Sequence, residues 1–360
     1  MKTPSERRAA LIRLVESRTV TRVAPSLLLP AAPFFDLAGE EFGRELFITQ
    51  GINGVEYCLR PDFTLPIAKA YLDGGLAGEP AAYTYLGPIF RQGFDGPEEY
   101  DQAGLELLGQ EDAGQALDQV LTFARWALAI YGITSPQIRL GGVGLFEAFL
   151  VAAGFPEIWR KRIRSRFGHP DAMNRLLERL VNPPPVVGPA PDGRGTLVEI
   201  VTDAMLQSGL PIAGGRTPEE IADRYLEKQE LAASALPPEK IQLLADYLGT
   251  ADRAQIALDR ILQLTRKSNV DLEGPIFDVR NHAAALAALS PKAEVVFDAS
   301  FSPRLDYYTG IVFEMTGVEG TVLASGGEYD LLMERLGADI PVAASGCALW
   351  VDRLEKEATE

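Results

Sequence analysis

Histidine and cysteine are both scarce: the chain has two of each in 360 residues. His169 and His282 cannot build a multi-histidine metal centre, and no Cys, His or acidic cluster has ligand spacing, so no metal is expected. Cys58 and Cys347 stand too far apart in the sequence to suggest a disulfide scaffold. Both fall in or beside strand-like segments and read as core, which points to a reducing, cytoplasmic setting. No run approaches the roughly 20 apolar residues of a membrane span. The first residues are charged (Lys2, Glu6, Arg7, Arg8, Arg13) and lack the apolar stretch of a signal peptide. Basic charge is also in deficit: 34 Lys and Arg face 50 Asp and Glu, a net charge of -16. Binding to a nucleic-acid backbone relies on Lys and Arg displacing counterions, so neither nucleic acid nor membrane is an expected partner. Small or basic partners fit better.

The composition is that of a globular protein. Hydrophobic residues are 47% and charged residues 23%, enough apolar surface for a sizeable core and too little charge for wholesale disorder. Ser5–Ser17 reads as an amphipathic helix. Leu46–Thr49 and Val55–Leu59 read as short strands. Ala81–Arg91 and Glu99–Leu108 read as a hairpin across the loop Gln92–Glu98. A helix is expected over Ala113–Tyr131, then a strand at Ile138–Leu140 and a helix from Gly144. From Phe155 the texture becomes helical, broken by the proline-bearing loop Asn182–Gly195. Strands return at Val295–Asp298, Ile311–Met315, Thr321–Ala324 and Val342–Leu349, before a last helix near Trp350. These later strands need partners that the earlier sheet can supply. The expected fold class is therefore α+β, a discontinuous domain (1–154 and 275–360) interrupted by a helical insertion at 155–274.

Chemistry gathers in five segments. In Arg60-Pro61-Asp62-Phe63-Thr64, a carboxylate and a hydroxyl two residues apart can both accept from one ammonium group. The same residues can equally cap the helix that begins near Pro66. In Tyr100–Gly109, Gln102, Gly104 and Glu106 share one strand face, with glycine leaving room for a small ligand; the plain alternative is a solvated face. Asp306-Tyr307-Tyr308, Gly326-Gly327-Glu328-Tyr329-Asp330 and Ser345–Leu354 complete the set. Strand tyrosines are usually core, and a Gly-Gly pair is usually only a turn. His169 reads as a surface turn, and Gly141-Gly142-Val143-Gly144 lacks the lysine of a phosphate loop.

In their order and spacing these segments resemble the catalytic domain of histidyl-tRNA synthetases, a class II aminoacyl-tRNA synthetase fold with an antiparallel sheet flanked by helices. Arg91 and its hairpin look like motif 2, and the segment ending at Arg353 looks like motif 3. The resemblance implies a histidine pocket built from Asp62, Thr64, Gln102, Glu106, Tyr307, Tyr308 and Tyr329, with Asp62 where the synthetases usually carry Glu. Arg91 and Arg353 are implied as candidate anion or nucleotide contacts.

The departures matter as much. The arginine that stabilises charge on the α-phosphate in the synthetases is replaced by Pro303, and Arg304, one residue later, is expected on the other side. Losing one such positioned group typically costs on the order of 10²–10³ in rate. Glu328 replaces a cation and is expected near the triphosphate position, while Trp350 is expected to crowd the adenine site. The chain ends soon after Arg353, so no anticodon-binding domain is expected. A kept histidine pocket with damaged ATP chemistry resembles the regulatory subunits of short-form ATP phosphoribosyltransferase. That resemblance implies a non-catalytic chain that needs no cofactor. It would pair with itself and join the short catalytic subunit in a hetero-oligomer, an octamer by that likeness, and let L-histidine inhibit the first step of histidine biosynthesis. The alternative is a truncated synthetase-like enzyme that still activates histidine with ATP.

Overall fold

The computed structural model describes residues 3–17, 19–37, 40–52, 54–93, 97–181, 193–208, 217–303 and 307–358. Its strands, in chain order, are β1 (Thr21–Arg22), β2 (Leu28–Pro30), β3 (Ile48–Gln50), β4 (Glu56–Leu59), β5 (Ala81–Phe90) and β6 (Glu99–Leu108). They continue with β7 (Gln137–Gly142), β8 (Ala251–Arg253), β9 (Glu294–Asp298), β10 (Ile311–Thr316), β11 (Val322–Glu328) and β12 (Ala344–Trp350).

Nine strands form one sheet in the order β1-β5-β6-β12-β11-β10-β7-β9-β8, and β2-β4-β3 form a small second sheet. From β5 through to β7 every neighbouring pair is antiparallel; β1 joins β5, and β9 joins β7, in parallel. The late strands do complete the early sheet. β12 lies on β6 with Gly346 opposite Glu106, and β10 lies on β7. One face of the sheet is covered by the helix Ala113–Ile130, whose Leu117, Val120, Leu121, Ala124 and Leu128 are buried against β6, β11 and β12. Each such leucine or valine contributes roughly 1.5–3 kcal/mol. The helix Pro4–Val15 starts with a capping box from Thr3 and Glu6. It is tied to the last helix by the buried Arg7 guanidinium, which donates to Glu355 at 2.6 and 2.9 Å.

Between 155 and 274 the chain is helical at Glu157–Arg164, Pro170–Val181, Arg194–Gln207, Pro218–Ala233, Pro238–Leu248 and Ala254–Lys267, but it also contributes β8 to the edge of the main sheet. Ala-Asp-Arg has no strand-like alternation; this strand exists because β9 offers an open edge. Most of the loop Asn182–Gly195 lies outside the described residues.

Gly326 and Gly327 do not make a turn; they lie inside β11. A Cβ on Gly326 would overlap the Gly346 carbonyl, and one on Gly327 the Ile311 carbonyl, so both glycines serve close strand approach. Gly104 likewise leaves no room for a ligand. The Tyr85 hydroxyl and the Cys347 carbonyl fill the space where its side chain would stand. Cys58 and Cys347 are both buried free thiols; burial, with Asp62 nearby, pushes Cys58 up to about 11.

Candidate functional site

The sheet face opposite the helix Ala113–Ile130 opens into a cleft of about 1470 Å³. Asp62, Thr64, Gln102, Tyr307, Tyr308 and Tyr329 all line it, and Glu106 lies directly beneath, hydrogen-bonded to two of them. Four separate chain segments supply these residues. Asp62 and Thr64 come from the turn between β4 and the helix Thr64–Asp73. Gln102 and Glu106 come from β6, Tyr307 and Tyr308 from the approach to β10, and Tyr329 from the end of β11. Asp306, Leu305 and Arg304 lie outside the described residues.

Glu106 is wholly buried. Its carboxyl accepts from Thr64 Oγ1 at 2.7 Å, from the Tyr85 hydroxyl at 3.3 Å and from the Tyr329 hydroxyl. Gly346, directly opposite on β12, has no side chain because any Cβ there would overlap Glu106 Oε2. Burial raises this carboxyl from the usual 4.5 to about 8; the hydrogen bonds from Tyr329, Thr64 and Tyr85 pull against the rise, and Asp62 adds to it. Tyr85 is the member of this group that strand alternation alone does not identify. It reaches Glu106 from β5, stacked on Phe63 at 4.3 Å, because Gly104 makes way for it.

The capping reading of Asp62 is seen directly, and its second oxygen is left over. Its Oδ1 accepts from the Leu65 amide at 3.3 Å, as a helix cap does, while its Oδ2 is buried without a partner. Gln102 Oε1 is buried without a partner as well. Burial raises the Asp62 carboxyl; the Arg91 charge and the Leu65 amide act against that rise. Two buried acceptors that lack donors, facing a cleft, suit a ligand carrying several N–H groups on one atom.

Arg91 and Arg353 line the same cleft. Arg91 donates from Nε to the Pro61 carbonyl at 2.8 Å and lies over Phe42 at 4.7 Å. Arg353 donates to the Val322 carbonyl at 3.0 Å and stands 5.1 Å from the Trp350 ring and 5.9 Å from Tyr100. Burial lowers the Arg353 pKa; Tyr100 acts against that, and the neighbouring Arg91 adds to it. Pro303 lies in the cleft wall.

One expectation is corrected here. Glu328 does not face the cleft: it is largely buried on the other side of β11, where its Oε2 accepts from the Ile311 amide at 2.7 Å. The strand continues through the Gly-Gly pair, so the alternation that sends Tyr329 into the cleft sends Glu328 away from it. His169 closes the turn before the helix Pro170–Val181, partly exposed, and there it also lines the cleft. Arg139 is a further lining residue that sequence reasoning did not single out. It stacks on Phe301 at 4.0 Å and pairs with Glu314 at 3.0 Å. Among the described residues no group of three His, Cys, Asp or Glu could hold a metal ion, and no helix is long and apolar enough to cross a membrane.

The buried carboxyl sets a pH dependence. Unfolded, Glu106 ionises near the usual 4.5; folded, near 8. Between those values the folded chain keeps a proton that the unfolded chain has released, so raising the pH costs stability at up to about 1.4 kcal/mol per unit from this group. The difference in unfolding free energy between the wild type and Glu106→Gln, measured in denaturant from pH 5 to 8, is expected to move against the wild type as pH rises. A constant difference would contradict the buried, proton-holding carboxyl.

Comparison with known proteins agrees with this geometry. The sequence pattern of the histidyl-tRNA synthetase family matches residues 2–183 and 221–354. An ATP phosphoribosyltransferase regulatory subunit of Brucella anthropi is 36% identical over 358 residues, covering 95% of this chain and 94% of that protein. The corresponding subunit of Agrobacterium fabrum is 35% identical, covering 96% and 95%. Among solved structures, an ATP phosphoribosyltransferase regulatory subunit/histidyl-tRNA synthetase from Bacillus halodurans superposes with a TM-score of 0.65 at 19% identity, over 98% of this chain and 78% of that one. A histidyl-tRNA synthetase from Nostoc sp. PCC 7120 gives 0.61 at 16% identity, over 97% and 70%. The fold is thus that of a class II synthetase, and the chain belongs to the ATP phosphoribosyltransferase regulatory subunit family, within the histidyl-tRNA synthetase-like group.

Proposed function

We propose that this chain is the non-catalytic regulatory subunit of a short-form ATP phosphoribosyltransferase, that the catalytic subunit requires it for activity, and that it carries the histidine site through which the first step of histidine biosynthesis is inhibited. The observation that carries the reading is the pair of buried, unpartnered acceptors, Asp62 Oδ2 and Gln102 Oε1, in the same cleft as the Glu106 carboxyl. An α-ammonium group would give those two acceptors, and Thr64 Oγ1, the donors they lack. The imidazole would then reach Glu106 between Tyr307, Tyr308 and Tyr329. The two terminal nitrogens of Arg91 would meet the α-carboxylate. Charge-assisted hydrogen bonds contribute roughly 1.5–3 kcal/mol each, so three of them at the strong end of that range reach the roughly 8 kcal/mol of micromolar affinity.

Inhibition further requires that histidine bind one quaternary state better than another, because equal affinity shifts no equilibrium. Leu27, Leu28, Phe35, Ile48, Ile52 and Val55 are exposed around the small sheet, which supports a self-dimer formed through that face. In this reading 155–274 is an insertion between the two parts of the synthetase-like domain, 1–154 and 275–360, and the whole hetero-oligomer is an octamer of regulatory and catalytic chains.

The alternative is a synthetase-like enzyme that activates histidine, and Pro303 in the cleft wall argues against it. Calorimetry with histidine, paired with a histidine-dependent ATP–pyrophosphate exchange assay, separates the two. Binding without exchange is expected. Exchange at a synthetase-like rate would replace the regulatory reading with the catalytic one, and absence of binding would remove the histidine site.

A further inference from the structure

Away from the cleft, the helices Glu157–Arg164 and Pro218–Ala233, with Arg179 of Pro170–Val181, enclose a second concavity of about 990 Å³. Its wall inverts the charge of the molecule. In a chain of net charge -16, six basic side chains (Lys161, Arg162, Arg166, Arg179, Arg224 and Lys228) meet there against three glutamates.

Two of those glutamates are already engaged, Glu157 with Lys161 at 2.7 Å and Glu227 with Arg162 at 2.9 Å. Arg166 is half-buried and anchored, donating to the Arg162 carbonyl at 2.9 Å and to Ser165 Oγ at 2.8 Å. Burial lowers its pKa, and the nearby Arg162 and Arg179 lower it further, with Glu227 only partly offsetting them. Among the described residues Arg179, Arg224 and Lys228 have no ion pair. Six cations against three carboxylates leave an excess of positive charge, and an anion seated among them would relieve its repulsion. Guanidinium groups offer the paired, planar donors that phosphate oxygens match, and the volume is that of a small-molecule site.

We propose that this pocket binds a small ligand carrying two or more adjacent phosphate groups, at a site separate from the cleft. The anchored, half-buried Arg166 in its wall favours a compact anion over the flat acidic surface of a partner.

The full-length chain is titrated by calorimetry with inorganic pyrophosphate and, separately, with ATP, at low and at physiological salt. One saturable site per chain is expected. Replacing two exposed members, Arg179→Ala with Arg224→Ala, is expected to weaken it at least about tenfold. Histidine binding and the melting temperature stay unchanged in that variant. Equal affinity for the two probes assigns recognition to the phosphates alone, and tighter ATP binding adds the nucleoside; either supports the site. Arg91→Ala, in the cleft, is expected to leave phosphate binding intact. Absence of saturable binding, or binding lost in Arg91→Ala and kept in the Arg179/Arg224 variant, would overturn the proposal. So would a variant that binds phosphate normally but no longer joins the catalytic subunit, which would make the pocket a contact for an acidic protein segment.

Discussion

Glu106→Ala is expected to abolish inhibition by histidine while the chain still assembles with the catalytic subunit. The carboxyl is wholly buried beneath the cleft, so it contributes no surface for a protein partner. Its loss removes the group that would pair with the imidazole, and leaving that buried ring nitrogen unsatisfied costs about 1–3 kcal/mol, roughly 5- to 150-fold in affinity. The substitution also leaves the hydroxyls of Thr64 and Tyr329 without their acceptor, while Tyr85 keeps the Cys347 carbonyl. A buried unsatisfied group costs about 1–3 kcal/mol, so some stability is lost as well. Glu106→Gln keeps an acceptor and the volume, and serves as the folded control. Size-exclusion chromatography with the catalytic subunit, followed by histidine titration of activity, reads both halves. Full inhibition retained in Glu106→Ala would sink the pocket assignment.

Gly346→Ala, which adds one methyl group and no charge, is expected to have an effect of similar size. The new Cβ would overlap Glu106 Oε2 and press on the Leu105 carbonyl. β12 and β6 are registered with Gly346 facing Glu106, so neither strand can slide aside without breaking its ladder. Overpacking of this kind costs roughly 1–3 kcal/mol. The displaced carboxyl should also bring histidine affinity down about as far as Glu106→Ala does. Gly274→Ala is the matched control, because a Cβ there meets nothing within 4 Å. Near-normal histidine affinity in Gly346→Ala would show that the position of the Glu106 carboxyl does not matter to the ligand.

Much of this architecture can be read from local pattern. β6 has the bounds its alternation suggests, and the helix Ala113–Ile130 follows its apolar stripe. The polar residues on one face of β6 were also visible, because alternation with period two needs no knowledge of neighbours. The misreadings share a cause: they depend on what another strand places opposite. Gly104 looked like space for a ligand until β5 brought Tyr85 over it. Gly326-Gly327 looked like a turn because strand-to-strand closeness leaves the same glycine signature as a bend. Glu328 fell on the wrong face once the strand was ended too early, and β8 was invisible because an edge partner, not its own residues, makes it a strand. His169 is brought to the cleft by a helix from a distant part of the sequence, and no local signal marks it.

The central claim is most directly tested by mixing this chain with the short catalytic subunit of the same genome and measuring ATP phosphoribosyltransferase activity while histidine is titrated. Activity is expected to depend on this chain, and inhibition by histidine to appear only when it is present. A catalytic subunit that forms no complex with the chain, and whose activity and histidine response are the same with and without it, would contradict the account.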